Sequence, residues 1–160
     1  MKKINKFIGI ILTIILIYAM NVSVYASSNT LQGELENTNY VDENYAEVVA
    51  NNVARGNILN RVVGRISNNG NGSVNVYGAV YGSVVCDKLI LEMTLQKNVN
   101  GSWQNVKSFS ASANSQGFYT KSYNVSVTKG YYYRLKLAGV AIKNGVSESQ
   151  APVTDGILIK

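Results

Sequence analysis

The chemistry open to this chain is narrowed first by what its side chains leave out. None of its 160 residues is histidine, and a single one, Cys86, is cysteine. A His-dependent nucleophilic triad, a zinc hydrolase centre and other His-bound metals are thereby excluded. Cys86 alone completes neither a zinc site nor an internal disulfide. It follows the apolar run Val80–Val85, so a buried, apolar role is expected for it, with an intermolecular disulfide or a reactive thiol as the alternative. No Gly-x-Ser-x-Gly arrangement occurs after the N-terminal segment. The carboxylates are scattered, and five of the nine fall between Glu34 and Glu47. A glycosidase needs two of them facing each other at about 5–10 Å, and no pair is nominated. Asp42-Glu43-Asn44 with Glu47 offers hard oxygens, but short of the roughly six to eight that calcium takes, and acids also suit a helix start. No catalytic residue, metal or cofactor is expected.

Aromatic and basic side chains remain, and their chemistry is binding. In Lys129–Leu137 the residues alternate. Tyr131, Tyr133, Leu135 and Leu137 fall on one side, and Tyr132, Arg134 and Lys136 on the other, as side chains do along a strand. The first set reads as core. The second is the candidate binding face: an aromatic ring beside two cations can stack on a sugar or a protein partner and favour acidic polymers such as a wall teichoic acid. Tyr77 and Tyr81 share a strand face, as do Tyr119 and Tyr123. Cross-strand tyrosine pairs also stabilise sheets without any ligand.

The elements that must position these residues are strands. From Ile58 onward, alternating Val/Leu/Tyr runs are separated by Asn/Gly turns: Ile58–Ser67, Ser73–Val85, Leu89–Lys97, Phe118–Val127, the 130–142 run, Ser147–Pro152 and Ile157–Lys160. Asn144-Gly145 reads as a two-residue type I′ turn. Gly139, where the alternation slips, reads as a bulge, and Ser110–Gly117 as a loop. At Val99-Asn100-Gly101 two registers compete. A two-residue turn pairs Leu95 with Val106 and sends Trp103 and Phe109 to the polar face. A three-residue loop pairs Lys97 with Trp103 and Leu91 with Phe109, placing both aromatics with the leucines. Burial of each is worth roughly 1.5–3 kcal/mol or more, which favours the second register; Lys107 then calls for an edge strand or a further bulge. About seven short strands at this spacing make an antiparallel all-β sandwich or barrel.

Before that domain, Met1–Lys6 is basic, Phe7–Met20 is an uncharged apolar run too short to span a bilayer comfortably, and Val24 and Ala26 stand at the −3 and −1 positions of a cut after Ala26. These features predict a secretory signal peptide over 1–26, with an uncleaved anchor as the alternative. Residues 27–56 form an acidic leader, expected to be partly helical or disordered, with Tyr45, Val48, Val49 and Val53 at helical spacing. Residues 57–160 form the β domain. Removal of the signal takes three of the 15 basic residues and leaves a net charge of +3. The leader carries −4 and the β domain +7, a basic body suited to an anionic surface.

Tyr131-Tyr132-Tyr133-Arg134-Leu135-Lys136, the hairpin at Asn144-Gly145 and Glu148-Ser149 resemble the last two strands of immunoglobulin/fibronectin type III-like sandwiches. In those a tyrosine braces the corner before the penultimate strand, a role that would fall to Tyr131 or Tyr133. With no cysteine pair, an antibody-type domain is excluded. Arg55-Gly56-Asn57, Cys86-Asp87-Lys88, Leu95-Gln96-Lys97, Asn100-Gly101-Ser102-Trp103, Val127–Arg134 and Thr154-Asp155-Gly156-Ile157 resemble an uncharacterised family of small secreted proteins of Gram-positive bacteria, chiefly clostridia. That resemblance implies secretion and one β domain, and carries over no mechanism. The expected function is non-enzymatic binding at the cell surface or in the medium, to a cell-wall polymer, a glycan or a protein. Nucleic acid is not an expected partner, and no stable membrane span is expected after signal cleavage. The alternatives are a toxin-like factor acting on membranes and a carboxylate-dependent hydrolase.

Overall fold

The structure is a computed structural model that describes residues 39–41, 43–52 and 58–160. The expected signal peptide lies outside the described residues. All the regular structure described is strand, in the order β1 (Tyr40–Val41), β2 (Tyr45–Asn51), β3 (Leu59–Gly70), β4 (Ser73–Val99), β5 (Ser102–Ser126), β6 (Tyr131–Lys143), β7 (Val146–Gln150) and β8 (Gly156–Ile159). They form one eight-stranded sheet, nearly closed like a barrel. Its spatial order is β1-β8-β6-β4-β3-β2, with β5 beside β4 and β7 beside β6.

The long β4–β5 hairpin is the frame. The first part of β4, Ser73–Gly82, pairs with β3, while Lys88–Lys97 pairs with β6. β5 follows both parts on the other side. Between them β4 bulges: Gly82–Val85 face only Gly117 of β5. The extra residues switch the inward parity from Val74, Val76 and Val80 to Leu89, Leu91, Met93 and Leu95, all buried. The two halves then fold inner face to inner face. A Cβ added at Gly139 would lie 2.4 Å from Val62 Cγ2, and one at Gly78 would lie 2.7 Å from Met93 Sδ. Glycine at both positions lets the half-sheets approach and fill the core with Leu, Val and Ile.

Several expectations are corrected here. Gly139 is not a bulge: β4 and β6 pair without a break from Lys88↔Ile142 to Lys97↔Tyr133. The missing side chain makes room for β3 instead. Ser110–Gly117 is not a loop but part of the continuous β5, because an edge strand tolerates small polar side chains while its backbone bonds to β4. The expected strands Ser73–Val85 and Leu89–Lys97 are likewise one strand, β4, with Asp87 and Lys88 inside it. Tyr45–Asn51 is a strand rather than a helix, paired antiparallel with β3. Ala46 is buried and Val48 packs on the core while Tyr45, Glu47, Val49 and Asn51 face out, a period of two that overrides the weaker helical spacing.

The hairpin register is the most consequential correction. The turn is Asn100-Gly101, with φ of 52° and 84°, and Val99 faces Ser102. This two-residue turn places Trp103 opposite Asn98, on the outer face. A bulge at Val106 then shifts the pairing so that Phe109 faces Met93 and does turn inward. The expected conflict between the two aromatics is resolved by giving each its own side. Lys107 stands on the exposed β5, which is an edge strand along its whole length.

The ends of the sheet are tied by polar side chains. One oxygen of the Glu148 carboxylate, on β7, accepts from Leu59 N at 2.8 Å, Ile58 N at 3.2 Å and Asn52 Nδ2 at 3.1 Å, fastening the start of β3. Asp87 accepts from Asn144 N at 2.7 Å and Lys143 Nζ at 3.2 Å, holding the β6–β7 turn, which is the expected Asn144-Gly145 turn. Those two bonds hold the Asp87 carboxyl below its ordinary range, the Asn144 amide contributing most.

Candidate binding face

The alternation in β6 puts Tyr133, Leu135 and Leu137 into the core and Tyr132, Arg134 and Lys136 on the other side, as expected, whereas Tyr131, expected with the core set, is 37% exposed at the start of the strand. Of the two candidates for a corner brace, Tyr133 is the buried one, and its hydroxyl donates to the Thr128 carbonyl at 2.8 Å. Burial pushes its phenol pKa up.

The structure gathers Tyr132 and Arg134 with two residues that β6 cannot supply. Tyr40 arrives on β1, which runs parallel beside β8, with Tyr40 opposite Gly156. Trp103 arrives from the start of β5, and its indole reaches across the sheet as far as β8. A Cβ at Gly156 would be 2.9 Å from Trp103 Cη2 and 3.4 Å from Tyr40 Cδ1, so glycine there leaves room for both rings. Trp103 and Tyr40 stack at 6.1 Å between centroids, and Tyr40 and Tyr132 meet at 4.6 Å with planes tilted by 60°. Asn98 Nδ2 donates to the Tyr40 hydroxyl at 3.2 Å.

Arg134 lies beneath this slab. Its guanidinium carbon is 4.3 Å from the Trp103 ring centre, its Nε donates to Gln96 Oε1 at 2.8 Å, and the residue is only 4% exposed. Gln96 Nε2 in turn donates to Asn105 Oδ1 at 2.9 Å. A guanidinium so covered cannot grip a polymer directly. It holds the indole flat against the sheet through a cation–π contact and is itself fixed by the amide. The accessible part of the predicted trio is therefore Tyr132 and Lys136, both half-buried, and the larger aromatic area belongs to Tyr40 and Trp103. Sequence reasoning missed both of these. The polar context of Trp103, between Ser102 and Gln104, was the available signal, and it lost to the assumption that a tryptophan must be core.

Among the described residues no three His, Cys, Asp or Glu side chains cluster as a metal site. Glu47 lies 3.7 Å from Arg65, and Asp87 and Glu148 hold turns and strand ends. A cavity of about 260 Å³ opens beside Tyr133, lined also by Lys97, Val106 and Ser126–Thr128, with no carboxylate in its wall. Cys86 is fully buried at the β4 corner, its Sγ 3.4 Å from the Val84 carbonyl oxygen, and burial pushes its thiol pKa up, opposite to what a reactive cysteine needs.

No protein-family model and no curated protein matches the chain. Among solved structures it is similar to Spo0M, a sporulation control protein from Bacillus subtilis, at 8% identity and a TM-score of 0.32, over 74% of this chain and 51% of that one.

Proposed function

We propose that this chain is a secreted, non-enzymatic binding protein whose outer β6 face holds a glycan-bearing polymer of the cell surface. The observation that carries the reading is the placement of Trp103. A residue worth several kcal/mol in a core is laid on the outside instead, beside Tyr40 and Tyr132, over an arginine that fixes its orientation. Flat, preorganised rings with a nearby cation suit a sugar ring carrying or adjoining negative charge, and rigidity reduces the entropy lost on binding. Secretion is supported by the basic and apolar N-terminus with its Val-x-Ala cleavage pattern. The absence of histidine and the structural use of Asp87 and Glu148 support a non-enzymatic role. The facing half-sheets and the Tyr133 brace support a sandwich of the immunoglobulin/fibronectin type III kind within this all-β fold.

The test is retention of the protein lacking residues 1–26 on purified peptidoglycan, wall teichoic acid and immobilised glycans. Tyr132→Ala with Lys136→Ala is the informative variant, because neither side chain is a buried anchor. Weakened retention is expected. Retention equal to the wild type on every matrix that binds it would sink this face, and no retention on any would sink the function.

A further inference from the structure

We infer that the opposite outer face, on β3, β4 and β5, is a second binding site, for a carboxylate-bearing polysaccharide. Because the half-sheets pack inner face to inner face, this surface points away from Trp103, and occupancy of one face leaves the other open.

Two rows of side chains cross this half-sheet. In the first, Arg61, Tyr81 and Phe118 stand on paired positions of β3, β4 and β5. The Arg61 guanidinium carbon is 4.3 Å from the Tyr81 ring centre, and the Tyr81 and Phe118 rings are 6.2 Å apart and 19° from parallel. In the second, Arg65 lies 5.4 Å from the Tyr77 ring centre. Four residues along the strands separate the rows, about 13 Å at strand rise. Between them Val63 and Ala79 are paired, Val63 half-buried and Ala79 fully buried, so the two rows supply the exposed groups of this face.

The chemistry of the two rows selects the occupant. Arg65 lies near Glu47, but Arg61 meets no carboxylate among the described residues; its ring contact leaves the guanidinium edge for an incoming acid. The planar fork of arginine matches a carboxylate in two parallel bonds. Phe118 is 58% exposed at the edge strand, a ring face for the apolar side of a sugar. Beyond the second row, Asn75 bonds to Ser122 and Asn124 in an exposed network of the kind that exchanges readily with hydroxyls. A protein partner would want a continuous apolar centre, which the arginines and amides break up. One monosaccharide cannot reach both rows, whereas a chain can.

The test uses alginate, a linear polyuronate, and the same polymer with its carboxyls reduced to alcohols, each immobilised for surface plasmon resonance. The wild-type chain is expected to bind alginate about tenfold or more tighter than the reduced polymer, and Arg61→Gln to lose about that factor on alginate alone. Phe118→Ala is expected to weaken binding to both, while Val146→Ala, at the exposed start of β7, changes neither. Circular dichroism establishes that each variant is folded. Should Arg61→Gln fail to fold, Arg61→Lys keeps the charge, removes the fork and is expected to bind alginate several-fold more weakly than the wild type. Equal binding to both polymers, wild-type binding by Arg61→Gln and Phe118→Ala, or loss of alginate binding in Val146→Ala would each overturn the proposal. So would a concentration-dependent dimer abolished by Phe118→Ala, since a second copy would then own the face. Retention on wall polymers through Tyr132 and Lys136 is read separately, so either site can fail without the other.

Discussion

Gly82→Ala probes the corner on which the whole hairpin turns. A Cβ at this position would stand 2.6 Å from the Val84 carbonyl oxygen and 2.8 Å from Cys86 Sγ, with the Gly117 oxygen at 3.3 Å. The nearest obstacle is main chain and cannot rotate aside. Relief requires moving the Gly82–Val85 segment, whose Ser83 N–H donates to the Ile58 carbonyl at 2.7 Å. Overpacking of this kind costs about 1–3 kcal/mol, and a weakened backbone hydrogen bond adds about 1 kcal/mol. The expected loss is therefore about 2–4 kcal/mol, or a fall in Tm of roughly 8–16 °C for a domain of this size. Urea unfolding followed by far-UV circular dichroism, and by the fluorescence of the single tryptophan Trp103, measures it. Gly101→Ala is the control: nothing lies within 4 Å of its Cβ, and the penalty is torsional, from a φ of +84°, at about 1–2 kcal/mol. A Gly82→Ala protein within about 0.5 kcal/mol of the wild type, the range of a neutral surface change, would refute the steric account of the corner.

Three further outcomes are expected. Tyr133→Phe removes the hydroxyl that donates to Thr128 and leaves the ring in place, so a loss of about 1–2 kcal/mol is expected in the same urea titration; an unchanged midpoint would remove the corner brace from the account. Asp87 has a depressed carboxyl pKa, so its contribution is present above its ordinary value of 3.8 and is lost as the pH falls through the folded value. Asp87→Asn should accordingly be less stable than the wild type at pH 7 and converge with it in acid; a gap that stays constant down to about pH 2 contradicts the linkage. The Cys86 thiol, buried and with its pKa raised, should resist a thiol-specific disulfide reagent at pH 8 in the folded protein and react stoichiometrically in denaturant. Rapid stoichiometric labelling of the folded protein would show that the corner opens.

The amino-acid sequence by itself determined an all-β fold, because side-chain alternation along a strand is a local property that burial on one side enforces. It determined the alternation of β6 for the same reason, with Tyr133, Leu135 and Leu137 inward, but not that Tyr131 is exposed at the strand's start or that Arg134 is covered. The Asn144-Gly145 turn was legible because positive φ is a requirement of the two residues themselves. What only the tertiary structure decided involves partners distant in the chain. Gly139 looks like an interruption until Val62 and Val80 stand against it from the facing half-sheet. The period of Tyr45–Asn51 is ambiguous until β3 lies beside it. Trp103 is core by transfer energy alone. Arg134, Tyr40 and the space above Gly156 together give it a seat on the outside that no local pattern encodes. The binding face was thus half legible. Its strand could be read from β6, but its largest ring and the burial of its arginine depend on contacts between residues 31 positions apart.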